Sequence, residues 1–231
     1  MRNIYPKTNK TYLNKKIIVK EYFKIIIKYL KNKKKLSLID VGCASGDFLS
    51  LLSIYNKFEL SGIDFSKASL SLAKKKVPQA NFKLINLNRK FKLKKKYDIC
   101  TCLGTLSAFD DKFKIISKLL NIVKKKGEMI IFDLINEHDV NVIMRYQNNF
   151  DKKKRWLSGF NTFSKNYWIN FLKSNSKIKS YKIIKFEIKK KLVKNKKNPM
   201  RSWTFNYNNK KQIVVGTGQL LNYYFIIIKL N

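Results

Sequence analysis

The stretch that most constrains the fold is Leu36 to Leu52, LSLIDVGCASGDFLSLL. Leu36, Leu38, Ile39 and Val41 make a short apolar run. The residues from Gly42 to Gly46 are small, and Phe48, Leu49, Leu51 and Leu52 then recur at helical spacing. That pattern reads as strand, tight turn, helix. Gly42 and Gly46, with only a methyl at Ala44, expose main chain that larger side chains would screen. In an open α/β sheet such a turn lies at the carboxyl end of its strand, where nucleotide-like ligands bind.

The charges around the turn narrow the ligand. A dinucleotide site needs G-x-G-x-x-G ahead of a bare helix N-terminus, but Ala44 and Asp47 stand at the second and third glycine positions. A carboxylate there repels phosphate. No Gly-Lys-Ser or Gly-Lys-Thr ends the turn, so a P-loop is excluded as well. Asp40, the acid at the end of the strand, suits a ligand carrying an ammonium and a sulfonium, and S-adenosylmethionine has both. Ile39 to Gly46, IDVGCASG, resembles the first motif of the class I S-adenosylmethionine-dependent methyltransferases, an acid followed by x and G-x-G-x-G; Ala44 is the one departure. The resemblance implies a three-layer, Rossmann-like α/β sheet, mostly parallel with antiparallel C-terminal strands. It also implies a cofactor held by Asp40 and the main chain of Gly42, Cys43, Ala44 and Gly46.

The next segments extend the resemblance. Phe58 to Asp64, FELSGID, is an apolar strand whose final acid falls 18 residues after Gly46. A carboxylate there can accept hydrogen bonds from both ribose hydroxyls. Phe65 is the candidate to stack on the adenine, and Ser66 caps a helix from Lys67 to Lys76 that Pro78 terminates. A third strand, Ala80 to Leu84, leads into Ile85, Asn86 and Leu87. Family members often place an aspartate at the position of Asn86 to receive the adenine amino group, and an amide oxygen can still accept that bond. Tyr97 to Thr105 resembles the fourth motif, which puts main chain near Leu103 and Gly104 against the methionine part of the cofactor. The family's frequent Leu-Glu-His reads Leu106-Ser107-Ala108 here, so a mechanism needing that Glu-His pair has no support.

A helix from Asp111 to Val123 and a strand from Glu128 to Ile135 follow, with Lys124 to Gly127 ending the helix. The loop beyond holds the chain's single histidine, His138, a weak candidate for a general base. Aromatic residues crowd Met144 to Trp168, among them Tyr146, Phe150, Trp156 and Phe160. This segment is long enough to cover a small pocket, and Arg145, Tyr146 and Trp156 are the candidate acceptor-binding residues. Helical spacing at Tyr167 to Leu172 precedes alternation from Lys179 to Val193. Two runs flank an Asn208-Asn209 turn, and Tyr223 to Leu230 closes the chain as late antiparallel strands. Upstream, Ile17 to Leu30 is an amphipathic helix, which the resemblance makes a cover for the cofactor; Tyr5 or Tyr12 are then either lid residues or, the preferred reading, cover for the sheet edge. The whole reads as one domain: a helical cap at 1–35, a cofactor-binding core at 36–135, and an acceptor-side cap with late strands at 136–231.

Composition matters for the partner. Lys and Arg number 51 against 14 Asp and Glu, a net charge of +37, which predicts weak, salt-sensitive, non-specific binding of nucleic acid. Only five of those residues are arginines and the lysines are dispersed; Lys, Asn and Ile are abundant together, as an A+T-rich coding sequence produces whatever the function. Neither a concentrated basic face nor an appended RNA-binding module is visible. The expected function is therefore methyl transfer to a small-molecule acceptor; the alternatives are an RNA or protein methyltransferase, or a non-catalytic cofactor-binding relative. Cys43, Cys100 and Cys102 have no paired or metal-binding spacing, so no metal site is expected. With no signal-peptide pattern and no long apolar run, the expectation is a cytoplasmic protein without membrane insertion. Oligomeric state is left open.

Overall fold

Strands buried on both faces must be apolar at consecutive positions, not alternate ones, and five segments meet that demand. They are β1 (Leu36–Val41), β2 (Phe58–Asp64), β4 (Tyr97–Leu103), β5 (Val123–Asn136) and β12 (Tyr223–Leu230). The computed structural model describes residues 9–30, 36–147, 155–196 and 198–231, with backbone alone over 9–16. The other elements are α1 (Asn9–Leu30), α2 (Asp47–Leu52), α3 (Lys67–Lys76), β3 (Asn81–Leu84), α4 (Lys112–Leu120) and α5 (Lys165–Ser174). The remaining strands are β6 (Arg145–Gln147), β7 (Trp156–Ser158), β8 (Phe163–Ser164), β9 (Ile178–Lys185), β10 (Trp203–Tyr207) and β11 (Lys210–Val214).

The main sheet runs β3-β2-β1-β4-β5-β12-β9. Strands β1 to β5 pair in parallel, and β12 is antiparallel to both β5 and β9. The fold is thus the three-layer, mostly parallel α/β sheet the sequence implies, and within that sheet both antiparallel pairings involve β12. On one face Tyr22, Ile26, Phe48, Leu49 and Leu70 from α1, α2 and α3 pack on Leu38, Ile130 and Phe132. On the other, Phe113, Ile116 and Leu119 of α4 and Trp168 and Leu172 of α5 pack on Ile39, Cys100 and Ile131. Local signals fix the helix starts: the side chains of Ser66, Asp111 and Ser164 accept from the N–H groups of Ser69, Lys114 and Tyr167 at 3.2, 3.0 and 3.1 Å.

Three boundaries differ from the sequence reading. Helix α4 ends at Leu120, and β5 already begins at Val123. The lysine run is drawn into the strand because Lys124 pairs with Asp98 at 2.9 Å and the Lys126 N–H donates to the Asn231 carbonyl at 3.0 Å. Strand β9 stops at Lys185 instead of reaching Val193. Beyond it Phe186, Ile188 and Leu192 are buried in the α1-side core, and Leu192 N–H donates to the Thr204 hydroxyl at 3.0 Å, so burial continues after the ladder has ended. Finally, β10 and β11 form a separate two-stranded ribbon. Its Asn208-Asn209 turn has φ of 47° and 59°, the left-handed pair that a two-residue hairpin turn requires.

Candidate active site

A cavity of about 480 Å³ opens along the carboxyl ends of β1, β2 and β4, within the size range of small-molecule sites. Asp40 is the next-to-last residue of β1; it is buried, and its Oδ1 accepts from the Thr101 hydroxyl at 2.8 Å. The turn after it is tied to β2, since the N–H groups of Gly42 and Cys43 both donate to the Ile63 carbonyl, at 2.8 and 3.1 Å. Asp64 is the central clamp: Oδ2 accepts from Ala44 N–H at 2.9 Å and Oδ1 from Ser66 N–H at 2.8 Å. One carboxylate thereby fixes both the β1–α2 turn and the start of α3, and each oxygen keeps a second lone pair for a ligand.

The glycines do different work from what the sequence suggested. Gly42 has φ +75°, and a Cβ there would stand 2.1 Å from the Thr105 hydroxyl oxygen, so its missing side chain makes room for Thr105. Gly46 lies against Ala73 of α3 and lets turn and helix meet; it does not line the cavity. Gly104, with φ +73° and no atom within 4 Å of the place a Cβ would take, is the glycine whose main chain faces open space in the wall.

Of the sequence-derived cofactor residues, Asp40, Gly42, Cys43, Ala44, Asp64, Phe65, Asn86, Leu87 and Leu103 all line this cavity. Phe65 stays 45% exposed, an aromatic face not consumed by the core. Asn86 Oδ1 accepts from Asn88 N–H at 3.0 Å, which orients the amide within a tight turn. Asp47 adds a third carboxylate, paired with Lys76 and accepting from the Ser45 hydroxyl. The buried and clamped carboxylates, the open main chain at Gly104 and the exposed Phe65 ring form a donor set that fits S-adenosylmethionine and disfavours a phosphate. From α1, Ile18, Val19 and Tyr22 complete the wall. Burial, reinforced by the Asp40 and Asp47 charges, pushes the Tyr22 hydroxyl well above its ordinary pKa, which leaves it a neutral donor. Tyr5 and the side chain of Tyr12 lie outside the described residues. Burial likewise raises the Cys100 and Cys102 thiols, which are protonated core groups.

The opposite end of the cavity is aromatic. Phe132 stacks on Tyr223 with centroids 4.7 Å apart and tilts against Tyr22 at 5.4 Å, and Tyr146 meets Phe160 at 6.1 Å. Phe160 has φ +60°, a strained backbone for a non-glycine residue. Its neighbours hold it there: Gln219 Nε2 donates to the Phe160 carbonyl at 3.0 Å, and buried Asn161 bonds through every polar group. Asn161 donates to the Ser107 carbonyl and to Asp110, accepts from Met144 N–H at 2.8 Å, and offers its carbonyl to Lys112 at 3.1 Å. Lys112 is itself buried against Asp133; burial pushes the Asp133 carboxyl up, against the opposing pull of Lys112.

Of the three candidate acceptor residues, Tyr146 lines the cavity. Arg145 instead points outward in a bidentate pair with Asp110, and Trp156 is 69% exposed. Both sit on the β6–β7 ribbon, whose geometry turns them from the wall; Phe150 lies outside the described residues. His138 is exposed on its loop and not part of the wall. Sequence reasoning missed Met200, Arg201 and Ser202, which enter the wall from the loop before β10. The single local signal was an arginine in a lysine-rich tract.

This strand order, with a glycine turn after β1 and an acid ending β2, defines a Rossmann-like nucleotide-binding enzyme of the methyltransferase type. The family model described as methyltransferase domain matches residues 32–195, and the chain belongs to that family, the class I S-adenosylmethionine-dependent methyltransferases. No curated protein matches the chain by sequence. Among solved structures, a SAM-dependent methyltransferase from Methanosarcina mazei superposes with a TM-score of 0.59 at 14% identity, covering 89% of this chain and 96% of that one. Magnesium protoporphyrin IX methyltransferase from Synechocystis PCC 6803, solved with bound SAM, gives 0.57 at 14% identity, covering 98% and 86%. The [4+2]-cyclase SpnF gives 0.55 at 15%, covering 70% of this chain; the chain spans 59% of that protein's length. Likeness at these identities is likeness of fold. Among the described residues no helix is long and apolar enough to cross a membrane.

Proposed function

We propose that the chain transfers a methyl group from S-adenosylmethionine to a small-molecule acceptor, acting as one domain with a cap at 1–35, a core at 36–135 and an acceptor side at 136–231. The observation that carries this reading is the cavity itself, lined by Asp40 and Asp64 together with Tyr22, Tyr146, Phe160 and the Met200 to Ser202 loop. A concave, aromatic pocket of this size suits a small acceptor better than a polymer. Asp64 is the ribose acceptor, Phe65 the adenine face, and Asn86 with Leu87 the rim of the adenine pocket. Asp40 and the main chain of Gly42, Cys43, Ala44, Leu103 and Gly104 surround the cationic methionine part.

The chemistry the cofactor supplies when bound is an electrophilic sulfonium methyl, open to displacement by an acceptor lone pair. The protein's share is alignment and exclusion of water, and positioning of this kind is worth up to ~7–11 kcal/mol in favourable cases. Phe132, Phe160 and Tyr223 remove water from the acceptor's apolar surface. Tyr22, held neutral by burial, lines the wall with its hydroxyl protonated. His138 lies away from the cavity, so no general base is assigned. Magnesium protoporphyrin IX methyltransferase, similar in fold, acts on a small molecule, which supports the same class here. The cyclase of like fold keeps a relative without methyl transfer in view.

The test is methyl transfer from labelled S-adenosylmethionine to fractionated cell extract at about physiological salt. Label in the low-molecular-weight pool is expected. Label confined to RNA or protein would replace the small acceptor with a polymer, and no label with intact cofactor binding would favour a non-catalytic relative.

A further inference from the structure

Residues 189–215 carry eight lysines and one arginine and no acid. The structure folds this tract back on itself. Strands β10 and β11 form its ribbon, and the preceding segment is tied to the β10 edge: Leu192 N–H donates to the Thr204 hydroxyl at 3.0 Å, and its carbonyl accepts from Thr204 N–H at 3.2 Å. Lys194 Nζ then sits over the Trp203 ring, 4.6 Å from its centroid. On the β11 side a groove of about 320 Å³ brings together Lys185 and Lys189 from one segment and Lys210 and Lys211 from the other. Glu187 is the single acid in its wall, and it meets Lys210 at 3.1 Å in a pair exposed on both sides. An exposed pair of this kind holds its partners weakly. The groove is therefore a strongly cationic surface, distinct from the cavity described above.

Trp203, Phe205 and Tyr207 alternate along β10, so all three stand on one face of the ribbon. Ile213, opposite Thr204 on the other face, is buried in the core and anchors the ribbon. Trp203 is half-buried at the base, but Phe205 is 39% and Tyr207 62% exposed, their ring centroids 6.4 Å apart. Adjacent rings that the core does not consume, with lysines around them, match what an unpaired strand of nucleic acid offers: bases to stack and phosphates to neutralise. A duplex offers the phosphates alone, since its bases are stacked inside. The tip of the hairpin is Asn208-Asn209 followed by Lys210 and Lys211, polar groups that disfavour insertion into lipid. We infer that the β10–β11 ribbon is a binding surface for single-stranded nucleic acid, with Phe205 and Tyr207 as the stacking residues and the lysines of the groove on the phosphates. Neither ring lines the methyl-transfer cavity, and the inference stands whatever the acceptor is.

Fluorescence anisotropy on the full chain at about physiological salt tests it, with labelled oligo(dT) and oligo(U) of about 20 nucleotides beside a DNA duplex of the same length. At least one single strand should bind about tenfold tighter than the duplex. The double variant Phe205→Ala, Tyr207→Ala should weaken that single strand by about tenfold or more and leave the duplex within about twofold, with circular dichroism and thermal unfolding as in wild type. Both side chains are exposed, so the variant is expected to fold. Duplex binding as tight as that of both single strands, or a double variant that keeps single-strand affinity, would overturn the inference and leave only the attraction of a basic protein for any polyanion. Vesicles containing phosphatidylserine are the remaining probe: if they bind, lose binding in the same double variant, and no single strand is preferred over the duplex, the ribbon is a membrane-surface contact and the inference fails.

Discussion

The carboxylate-bearing part of the cavity wall comes from the ends of β1, β2, β3 and β4 and the residues directly after them, whereas the aromatic part is gathered from five separated places. Phe132, Tyr146, Phe160, the Met200 to Ser202 loop and Tyr223 reach it from β5, loops, a short ribbon and the tip of β12. The first end is polar, with carboxylates already bonded to main chain; the second is aromatic and held from behind by the network of Asn161, Asp110, Lys112 and Asp133. The difference shows two ways of building one wall. A strand end places its next residues by geometry alone, but a wall assembled from loops needs buried polar contacts to hold its shape.

The largest effect should come from the contact behind the acceptor end. Lys112→Met strands the Asp133 carboxylate in the core and removes the donor to the Asn161 carbonyl, so denaturant unfolding should show a loss of ~3–5 kcal/mol. Lys112→Met with Asp133→Leu should recover most of it, because no unpaired charge then remains buried. A single variant as stable as wild type would break the claim that this pair supports the acceptor side.

Asp64→Ala comes next. It should weaken S-adenosylmethionine binding by roughly 1.5–3 kcal/mol through lost charged-acceptor hydrogen bonds, with acceptor-side folding intact by circular dichroism. Release of Ala44 and Ser66 N–H adds to the same loss, since the turn is then free to move. Unchanged cofactor affinity in calorimetry would remove Asp64 from the site and end the contrast between the two regions.

The smallest effect is expected on the ribbon outside the wall. Trp156→Ala removes a side chain 69% exposed, and kcat/KM should stay within about twofold of wild type, as at an ordinary surface position. A large rise in KM would show that β7 closes over the acceptor and would extend that end of the cavity to a residue outside the present wall.

Legibility in the sequence follows the same division. IDVGCASG, the acid at Asp64 and the cap at Ser66 were readable because each falls at a strand end or helix start that the local pattern marks, and backbone geometry carries the turn to the strand end. The role of Gly42 was not, since Thr105 fills the space beside it from the far end of another strand. Nor was the end of β9, where Phe186, Ile188 and Leu192 keep alternating although the ladder has stopped. The two arginines make the point most directly. Arg145 sits in the aromatic-rich segment where an acceptor residue was expected, yet Asp110, brought up by the turn before α4, draws it outward. Arg201 follows a lysine-rich tract and enters the wall because the β10–β11 ribbon folds over the α1 side of the sheet. Local period and residue type were enough to specify the sheet, the turn and the polar end of the cavity. Which aromatics line the rest of the cavity was settled by tertiary packing, because it depends on which distant segments bury against one another.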